Sequence, residues 1–160
     1  MNEEITTGAS APSFNIPTSK EQNVSLEDYQ CSNLVVFFYP KDSTPGCTTE
    51  AVEFSAKLDE FSKLNTKILG ISKDSLKRHH NFIQKNSLTI ELGSDEDGAV
   101  CESFGVWKEK KNYGKTYMGI ERSTFLIDEN GTILKAWRKV RVAGHVDEVL
   151  AEVSALNRDS

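Results

Sequence analysis

The stretch Asn33–Glu50, which reads NLVVFFYPKDSTPGCTTE, decides how this chain folds. It opens with the apolar run Leu34–Tyr39, which is rich in Val and Phe and too short to span a membrane. Such a run predicts a buried β-strand. Pro40 ends the strand, because proline has no backbone N–H for the next hydrogen bond of the ladder. The stretch is therefore expected to begin as a buried strand that leads into a polar loop at 41–43.

The second half of the stretch predicts a helix that begins beside a cysteine. Thr44 is a typical N-cap, and Pro45 is typical of the first helical position. Cys47 would then lie in the first turn, where unpaired N–H groups and the helix dipole favour an anion. The thiolate is the nucleophilic form of cysteine. Thr44 can place a hydroxyl near the sulfur atom, and Gly46 lets the backbone approach a small ligand.

Two other interpretations of Cys47 are less well supported. A cysteine that serves only packing usually has apolar neighbours, whereas Cys47 is surrounded by Thr, Pro, Gly and Glu residues. A thioredoxin-type Cys-x-x-Cys is excluded, because Glu50 occupies the position of the second cysteine. The pattern favours a reactive thiol at Cys47.

Strands and helices are predicted to alternate along the rest of the chain. The best helical pattern is 48–65, in which apolar residues recur every three or four positions, namely Ala51, Phe54, Leu58 and Phe61. The other predicted elements are an N-terminal β-hairpin of 13–17 and 23–26, strands at 67–72, 89–92, 123–128 and 132–140, and helices at 75–86, 96–104 and 145–156. This order predicts an α/β protein with a mixed β-sheet flanked by helices.

Length and composition suit a compact protein of the cytoplasm. The 160 residues predict one domain over 1–160, with residues 1–11 expected to be loose. The net charge of -5, without a dense basic cluster, argues against nucleic acid or an anionic membrane as a partner. The start of the chain lacks the layout of a secretory signal, and three widely spaced cysteines do not form a disulfide framework. We expect a cytoplasmic protein.

No metal or cofactor is predicted. His79 and His80 are adjacent and expected on an exposed helix face, and no cysteine–histidine pair has zinc-ligand spacing. A glycine-rich or phosphate-binding loop is also absent from the sequence.

Four blocks of sequence in the same order resemble the peroxiredoxin family. The first contains the pattern Pro40-x-x-x-Thr44-x-x-Cys47 within FFYPKDSTPGCTTE, which is similar to the bacterioferritin comigratory protein (PrxQ) branch. The others are ILGISKD at Ile68–Asp74, SDEDGAVCESFGVW at Ser94–Trp107 and GKTYMGIERSTFLID at Gly114–Asp128. The resemblance implies a thioredoxin-like fold, which the alternation of elements alone does not distinguish from other α/β sheets.

The resemblance also implies a chemistry and a set of residues. The Cys47 thiolate would attack a peroxide oxygen and become a sulfenic acid, which makes the chain a thiol-dependent peroxidase for hydrogen peroxide and organic hydroperoxides. Arg122 stands where the family has its active-site arginine, just before STFLID, although a surface arginine at a strand end would fit the local sequence equally well. Pro40 would shield the sulfur atom from water, and Trp107 would form part of the pocket wall. Glu50 has two interpretations from its position alone: a carboxylate that is favourable near a helix N-terminus, or a carboxylate that orients an arginine.

The source of reducing equivalents is the point at which this chain departs from many branch members. The position five residues after Cys47, where many carry a resolving cysteine, is Val52, and the helix 75–86 has no cysteine. Cys101 lies among apolar residues and is interpreted as a packing cysteine, while Cys31 has no motif support. We therefore expect a one-cysteine enzyme reduced by an external thiol, either glutathione, a glutaredoxin or thioredoxin. The resemblance to the branch implies a monomer. A redox sensor that passes the sulfenic acid to a partner is the alternative.

Overall fold

A mixed five-stranded sheet forms the centre of the molecule, in the order β5-β4-β3-β8-β9. The computed structural model describes residues 7–158. The central strand β3 pairs in parallel with β4 and antiparallel with β8, and the outer strands β5 and β9 pair with β4 and β8. These strands are β3 (Asn33–Phe38), β4 (Thr66–Ser72), β5 (Glu91–Ser94), β8 (Ser123–Ile127) and β9 (Ile133–Trp137).

The two faces of the sheet carry separate apolar cores. One core holds Val35, Phe37 and Tyr39, while the other holds alternate residues of the same strand, because successive side chains of a strand point to opposite faces. Four helices pack in the first core: α1 (Pro45–Ala56), α2 (Leu58–Lys63), α3 (Leu76–Asn86) and α5 (His145–Arg158). The second core is covered by the hairpin β1 (Asn15–Pro17) and β2 (Asn23–Ser25), a 3-10 helix (Leu26–Tyr29) and α4 (Ala99–Ser103).

The mixed sheet, the flanking helices and the N-terminal hairpin confirm the predicted architecture, with changes at the ends of elements. The helix predicted over 48–65 is divided at Lys57, whose backbone (φ -99°, ψ 3°) leaves helical geometry. Lys57 is neither proline nor glycine, so no sequence signal marks the break. The last predicted strand, 132–140, ends early at Trp137.

A second hairpin, β6 (Trp107–Asn112) and β7 (Lys115–Ile120), was not among the predicted elements. Its turn residues Tyr113 and Gly114 both have positive φ, 52° and 77°, as a tight two-residue turn requires. Most described side chains of β7 are exposed, so the hairpin lacks the one-sided apolar alternation by which strands are recognised.

Part of the N-terminal segment expected to be loose is held by the sheet. The Gly8 N–H donates to the Ile133 carbonyl at 2.7 Å, and the Ile133 N–H donates to the Ala9 carbonyl at 2.9 Å. Ala11 is buried and donates its N–H to the Gly131 carbonyl at 2.7 Å. Backbone hydrogen bonds therefore connect residues 8–11 to β9 and to the turn before it, and residues 1–6 lie outside the described part of the chain.

Within residues 7–158, no helix combines the length and the apolar character needed to cross a bilayer.

Candidate active site

Cys47 is the third residue of α1, directly beyond the end of the central strand. Thr44 occupies the N-cap position with an extended backbone (φ -87°, ψ 154°), and Pro45 is the first helical residue, as predicted. The Cys47 side chain is only 1% exposed and packs with Ala51 and Phe54 in the helical core. The thiol therefore lies at the start of a helix and is shielded from bulk water.

Arg122 contacts the sulfur atom. It directly precedes β8, the antiparallel neighbour of β3, and this pairing brings it to the same end of the sheet as α1. Its Nη2 donates to Cys47 Sγ at 3.2 Å, and its Nη1 donates to Glu50 Oε1 at 2.7 Å. Burial lowers the pKa of Arg122, but the charges of Glu50 and Cys47 outweigh burial and raise it above its ordinary value. The guanidinium is a permanent cation beside the sulfur atom.

Glu50 holds the other side of the guanidinium. It is three residues after Cys47, so both side chains leave the same face of α1. Glu50 is fully buried, and its Oε2 has no hydrogen-bond partner among the described residues. Burial raises its pKa to about 7, although Arg122 acts in the opposite direction. Glu50 fixes the guanidinium while keeping part of its own hydrogen-bonding capacity unused.

Gly46 leaves space for the close approach of Arg122. A Cβ atom at this position would lie 3.3 Å from Arg122 Nη2 and 3.9 Å from Cζ. The missing side chain thus leaves room for the guanidinium beside the first turn of α1.

Thr44 is at the predicted place, but its hydroxyl does not form the predicted cap. The hydroxyl donates to the Lys41 carbonyl at 2.8 Å, and α1 has no side-chain hydrogen bond at its N-cap. The N–H groups of Gly46 and Cys47 are therefore not occupied by the cap residue. Because the Thr44 proton is directed at the loop, a contact from this hydroxyl to the sulfur atom remains a prediction.

Unlike Arg122, neither Pro40 nor Trp107 has a described contact with the sulfur atom of Cys47. Pro40 is exposed at the end of β3, and its shielding role remains a prediction. Trp107 is half-buried and packs against the core on the face opposite Cys47, with Lys73 Nζ 4.2 Å from its ring. This placement favours a packing role for Trp107 over the predicted pocket wall.

The other two cysteines lie far from Cys47 in the fold. Cys31 is exposed and precedes β3, whereas Cys47 follows it, and six strand residues span roughly 20 Å. Cys101 is buried in α4 on the opposite face of the sheet. Burial raises the pKa of the Cys101 thiol far above its usual range, and Asp95 adds to the increase. All three cysteines are free thiols in the structure.

Two residues near the site were missed from the sequence. Lys110, on the hairpin β6–β7, has a pKa lowered by burial and by the charge of Arg122, with an opposing contribution from Cys47. The prediction of an exposed His79 was wrong, because its side chain is fully buried while His80 is exposed. The signal for His79 was its position three residues after Leu76 and three before Phe82, on the apolar side of α3.

Comparisons with known proteins agree with the geometry. The model of the AhpC/TSA family matches residues 7–136. Peroxiredoxin Bcp of Xanthomonas campestris is 51% identical over 91% of this chain and 92% of its own, and that of Bacillus subtilis is 47% identical over 91% and 93%.

Solved structures extend this similarity to the fold. Xanthomonas campestris peroxiredoxin Q matches with a TM-score of 0.85 and 51% identity over 89% of this chain and 90% of its own. A cysteine-to-serine mutant of Xylella fastidiosa PrxQ matches with a TM-score of 0.92 and 40% identity over 97% and 99%. These similarities confirm the thioredoxin-like fold. The chain belongs to the peroxiredoxins, enzymes that reduce hydroperoxides with a thiol, in the bacterioferritin comigratory protein (PrxQ) branch.

Proposed function

We propose that the chain reduces hydrogen peroxide and organic hydroperoxides through a sulfenic acid on Cys47. The thiolate attacks one peroxide oxygen, the S–O bond forms as the O–O bond breaks, and the leaving oxygen takes a proton as water or an alcohol. The observation that carries this proposal is the contact of Arg122 with both Cys47 Sγ (3.2 Å) and Glu50 (2.7 Å).

Ionisation of the thiol alone would not give an enzyme. An ordinary thiol with a pKa near 8.5 is about 3% ionised at pH 7, so complete ionisation gains at most about thirtyfold, or ~2 kcal/mol. The remaining acceleration must come from donors aimed at the oxygens on which charge develops. Arg122 and the first-turn N–H groups of α1, which no side chain caps, are the donors that the site offers.

Organic hydroperoxides are included because of a relative. A structure of the Xanthomonas campestris bacterioferritin comigratory protein, 50% identical to this chain, concerns that protein's alkyl peroxide reduction activity. The shielded sulfur atom and the fixed guanidinium suit the reaction of either peroxide, since both contain the O–O bond that is cleaved.

We further propose that the protein uses Cys47 as its one redox-active cysteine. It would act as a monomer in a reducing compartment such as the cytoplasm. Cys31 lies at the far end of β3, and Cys101 lies across the sheet, so neither can reach Cys47 without rearrangement. Glutathione, a glutaredoxin or thioredoxin would reduce the sulfenic acid. The 1% exposure of Cys47 requires the first turn of α1 to open for this step.

The test is the number of peroxide equivalents consumed with each thiol reductant in excess. Wild type and Cys101→Ser should turn over many equivalents, whereas Cys47→Ser should consume none above background. Intact mass after one equivalent of peroxide, without reductant, should show an added oxygen and no internal disulfide. Consumption of only one equivalent would favour the redox sensor, and a Cys47–Cys101 disulfide would overturn the one-cysteine mechanism.

A further inference from the structure

The loop before Cys47 is anchored by a buried carboxylate. Asp42 lies in the polar loop between β3 and α1, yet it is only 5% exposed. Its Oδ1 accepts the Tyr39 hydroxyl at 2.6 Å, and its Oδ2 lies 2.6 Å from His79 Nδ1. Its backbone N–H donates to Asp74 Oδ2 at 2.8 Å. Residues that closely follow β3 and β4, together with one residue of α3, therefore hold this loop residue.

The contacts of His79 show which of its ring nitrogens can donate a hydrogen bond. Its Nε2 lies 2.9 Å from the Gly93 carbonyl, which can only accept, so Nε2 carries a proton. Its Nδ1 faces the Asp42 carboxylate, which also accepts when ionised. When Asp42 is ionised, Nδ1 donates as well, and the ring that is protonated on both nitrogens then has both N–H groups satisfied inside a fully buried site.

The surrounding charges favour this state over a neutral pair. Two buried carboxylates, Asp42 and Asp74, lie together, and the largely exposed Arg78 lies 3.7 Å from Asp74. Burial, and then the charge and hydrogen bond of Asp42, raise the pKa of Tyr39 well above its usual value, so Tyr39 remains a donor to Asp42. A cation at His79 balances the Asp42 charge, which would otherwise be costly to bury.

The anchored loop sets the start of α1. Ser43, next to Asp42, has φ 67°, a left-handed conformation that non-glycine residues adopt only when their surroundings hold them. Thr44 follows as the N-cap, and Cys47 lies in the first turn. The position of Cys47 Sγ relative to Arg122, which approaches from another strand, thus depends on where Asp42 is held.

We propose that His79 is a positioning residue, which holds Asp42 as a buried ion pair and thereby places Cys47 against Arg122. It touches neither the sulfur atom nor the peroxide and acts through the loop. The inference rests on the proposed role of Cys47 in peroxide reduction. It assigns a function to a histidine that lies on a different helix from the thiol.

The first test reads the ion pair directly. Two-dimensional NMR of the histidine ring nitrogens at pH 7 should show both His79 nitrogens protonated, with the signal assigned by its loss in His79→Gln. Asp42→Asn preserves the shape of the anchor, removes its charge and should convert the His79 ring to the neutral form. A neutral ring in the wild type, or an imidazolium that persists in Asp42→Asn, would overturn the proposal.

The second test reads the positioning. His79→Gln and Asp42→Asn should each slow single-turnover oxidation of Cys47 by about tenfold or more, since a misplacement of about 1 Å can cost a reaction 10²-fold. The double variant should be no slower than either single one, because both changes remove the same ion pair. His80→Gln, at the exposed neighbouring position, is the matched control and should react like the wild type.

Rates are compared well below the melting temperature of each variant, so that loss of stability alone leaves them unchanged. If folded His79→Gln and Asp42→Asn oxidised Cys47 at the wild-type rate, His79 would have only a structural role and the proposal would be wrong. If the wild type itself fails to reduce peroxide, the proposed function falls. The NMR measurement and the rate of Cys47 alkylation would still test the ion pair and the positioning independently.

Discussion

Cys47 and Cys101 occupy nearly identical positions in two different helices. Each is the third residue of its helix, Cys47 in α1 and Cys101 in α4, and both side chains are buried, at 1% and 0% exposure. Their charged neighbours differ. Cys47 Sγ accepts a hydrogen bond from Arg122, whereas the Cys101 thiol lies beside Asp95, which helps to raise its pKa.

The first turns of the two helices differ in the same sense. The N–H groups of Val100 and Cys101 donate to the two oxygens of Asp95, at 3.1 and 2.8 Å. In α1, the N-cap hydroxyl of Thr44 turns away to Lys41, and the first-turn N–H groups are left to a ligand. Burial and a helix start are therefore not sufficient for a reactive thiol. The sign of the neighbouring charge and the free N–H groups separate the two sites.

Removing the positive charge of Arg122 should abolish most of the difference in reactivity between Cys47 and Cys101. Arg122→Met keeps the bulk of the side chain and should slow Cys47 oxidation by about 10²–10³-fold, the loss typical of one donor at a developing oxyanion. Arg122→Lys restores the charge without the planar fork and should give an intermediate rate. Stopped-flow measurement of sulfenic acid formation provides these rates.

Arg141→Met, which changes an exposed arginine, is the matched control and should leave the rate unchanged. If Arg122→Met reacted as fast as the wild type, the neighbouring charge would not be what distinguishes Cys47 from Cys101.

Glu50, the partner of Arg122 beside Cys47, should make the stability of the protein depend on pH. The pKa of Glu50 is about 7 in the folded protein and 4.5 for an ordinary glutamate. The folded state therefore binds the Glu50 proton more tightly than the unfolded state. The free energy of unfolding should fall by roughly 3 kcal/mol as the pH rises from about 4.5 to about 7. Glu50→Gln removes this dependence.

Urea unfolding of the wild type and Glu50→Gln at pH 4.5 and pH 8 measures the effect. Between pH 4.5 and pH 8, the free energy of unfolding of the wild type should fall by that amount relative to that of Glu50→Gln. Contributions that are common to both proteins cancel in this comparison. One such contribution is that of His145, whose pKa burial lowers to about 4. Glu60→Gln, at an exposed position, should behave like the wild type. If the difference in unfolding free energy between the wild type and Glu50→Gln were the same at both pH values, the pKa of Glu50 would not be raised in the folded protein.

The local part of the site was predictable from the sequence. An apolar run, a proline that ends it and a threonine–proline helix start all act within a few residues, so the position of Cys47 in α1 followed directly. The alternation of strands and helices likewise gave the mixed sheet. The helix start depends on geometry within a few residues, and the class of sheet depends on the order of elements along the chain; the sequence records both.

The long-range part of the site was not predictable from spacing. Arg122 reaches Cys47 only because β8 pairs with β3, and its placement was anticipated by resemblance to a family. His79 is predicted on an exposed helix face together with the adjacent His80, although its three-residue spacing from Leu76 and Phe82 indicates the buried side of α3. Lys110 was missed with its whole hairpin, since the pairing of exposed strands leaves little trace in hydrophobic periodicity.

The smallest expected effect concerns the anion beside Cys101. Asp95→Asn removes the charge while keeping an amide oxygen that can accept from the first turn of α4. In a Cys47→Ser background, alkylation of Cys101 should accelerate only a few-fold, because burial is the larger cause of its raised pKa. Peptide mass spectrometry over a time course of iodoacetamide labelling measures this rate. Asp97→Asn changes the exposed acidic residue that accepts the Ala99 N–H and should leave labelling unchanged.

If Asp95→Asn made Cys101 as reactive as Cys47 in the wild type, charge alone would account for the contrast. A few-fold increase would instead mean that the Arg122 contact and the uncapped N–H groups of α1 supply what Cys101 lacks.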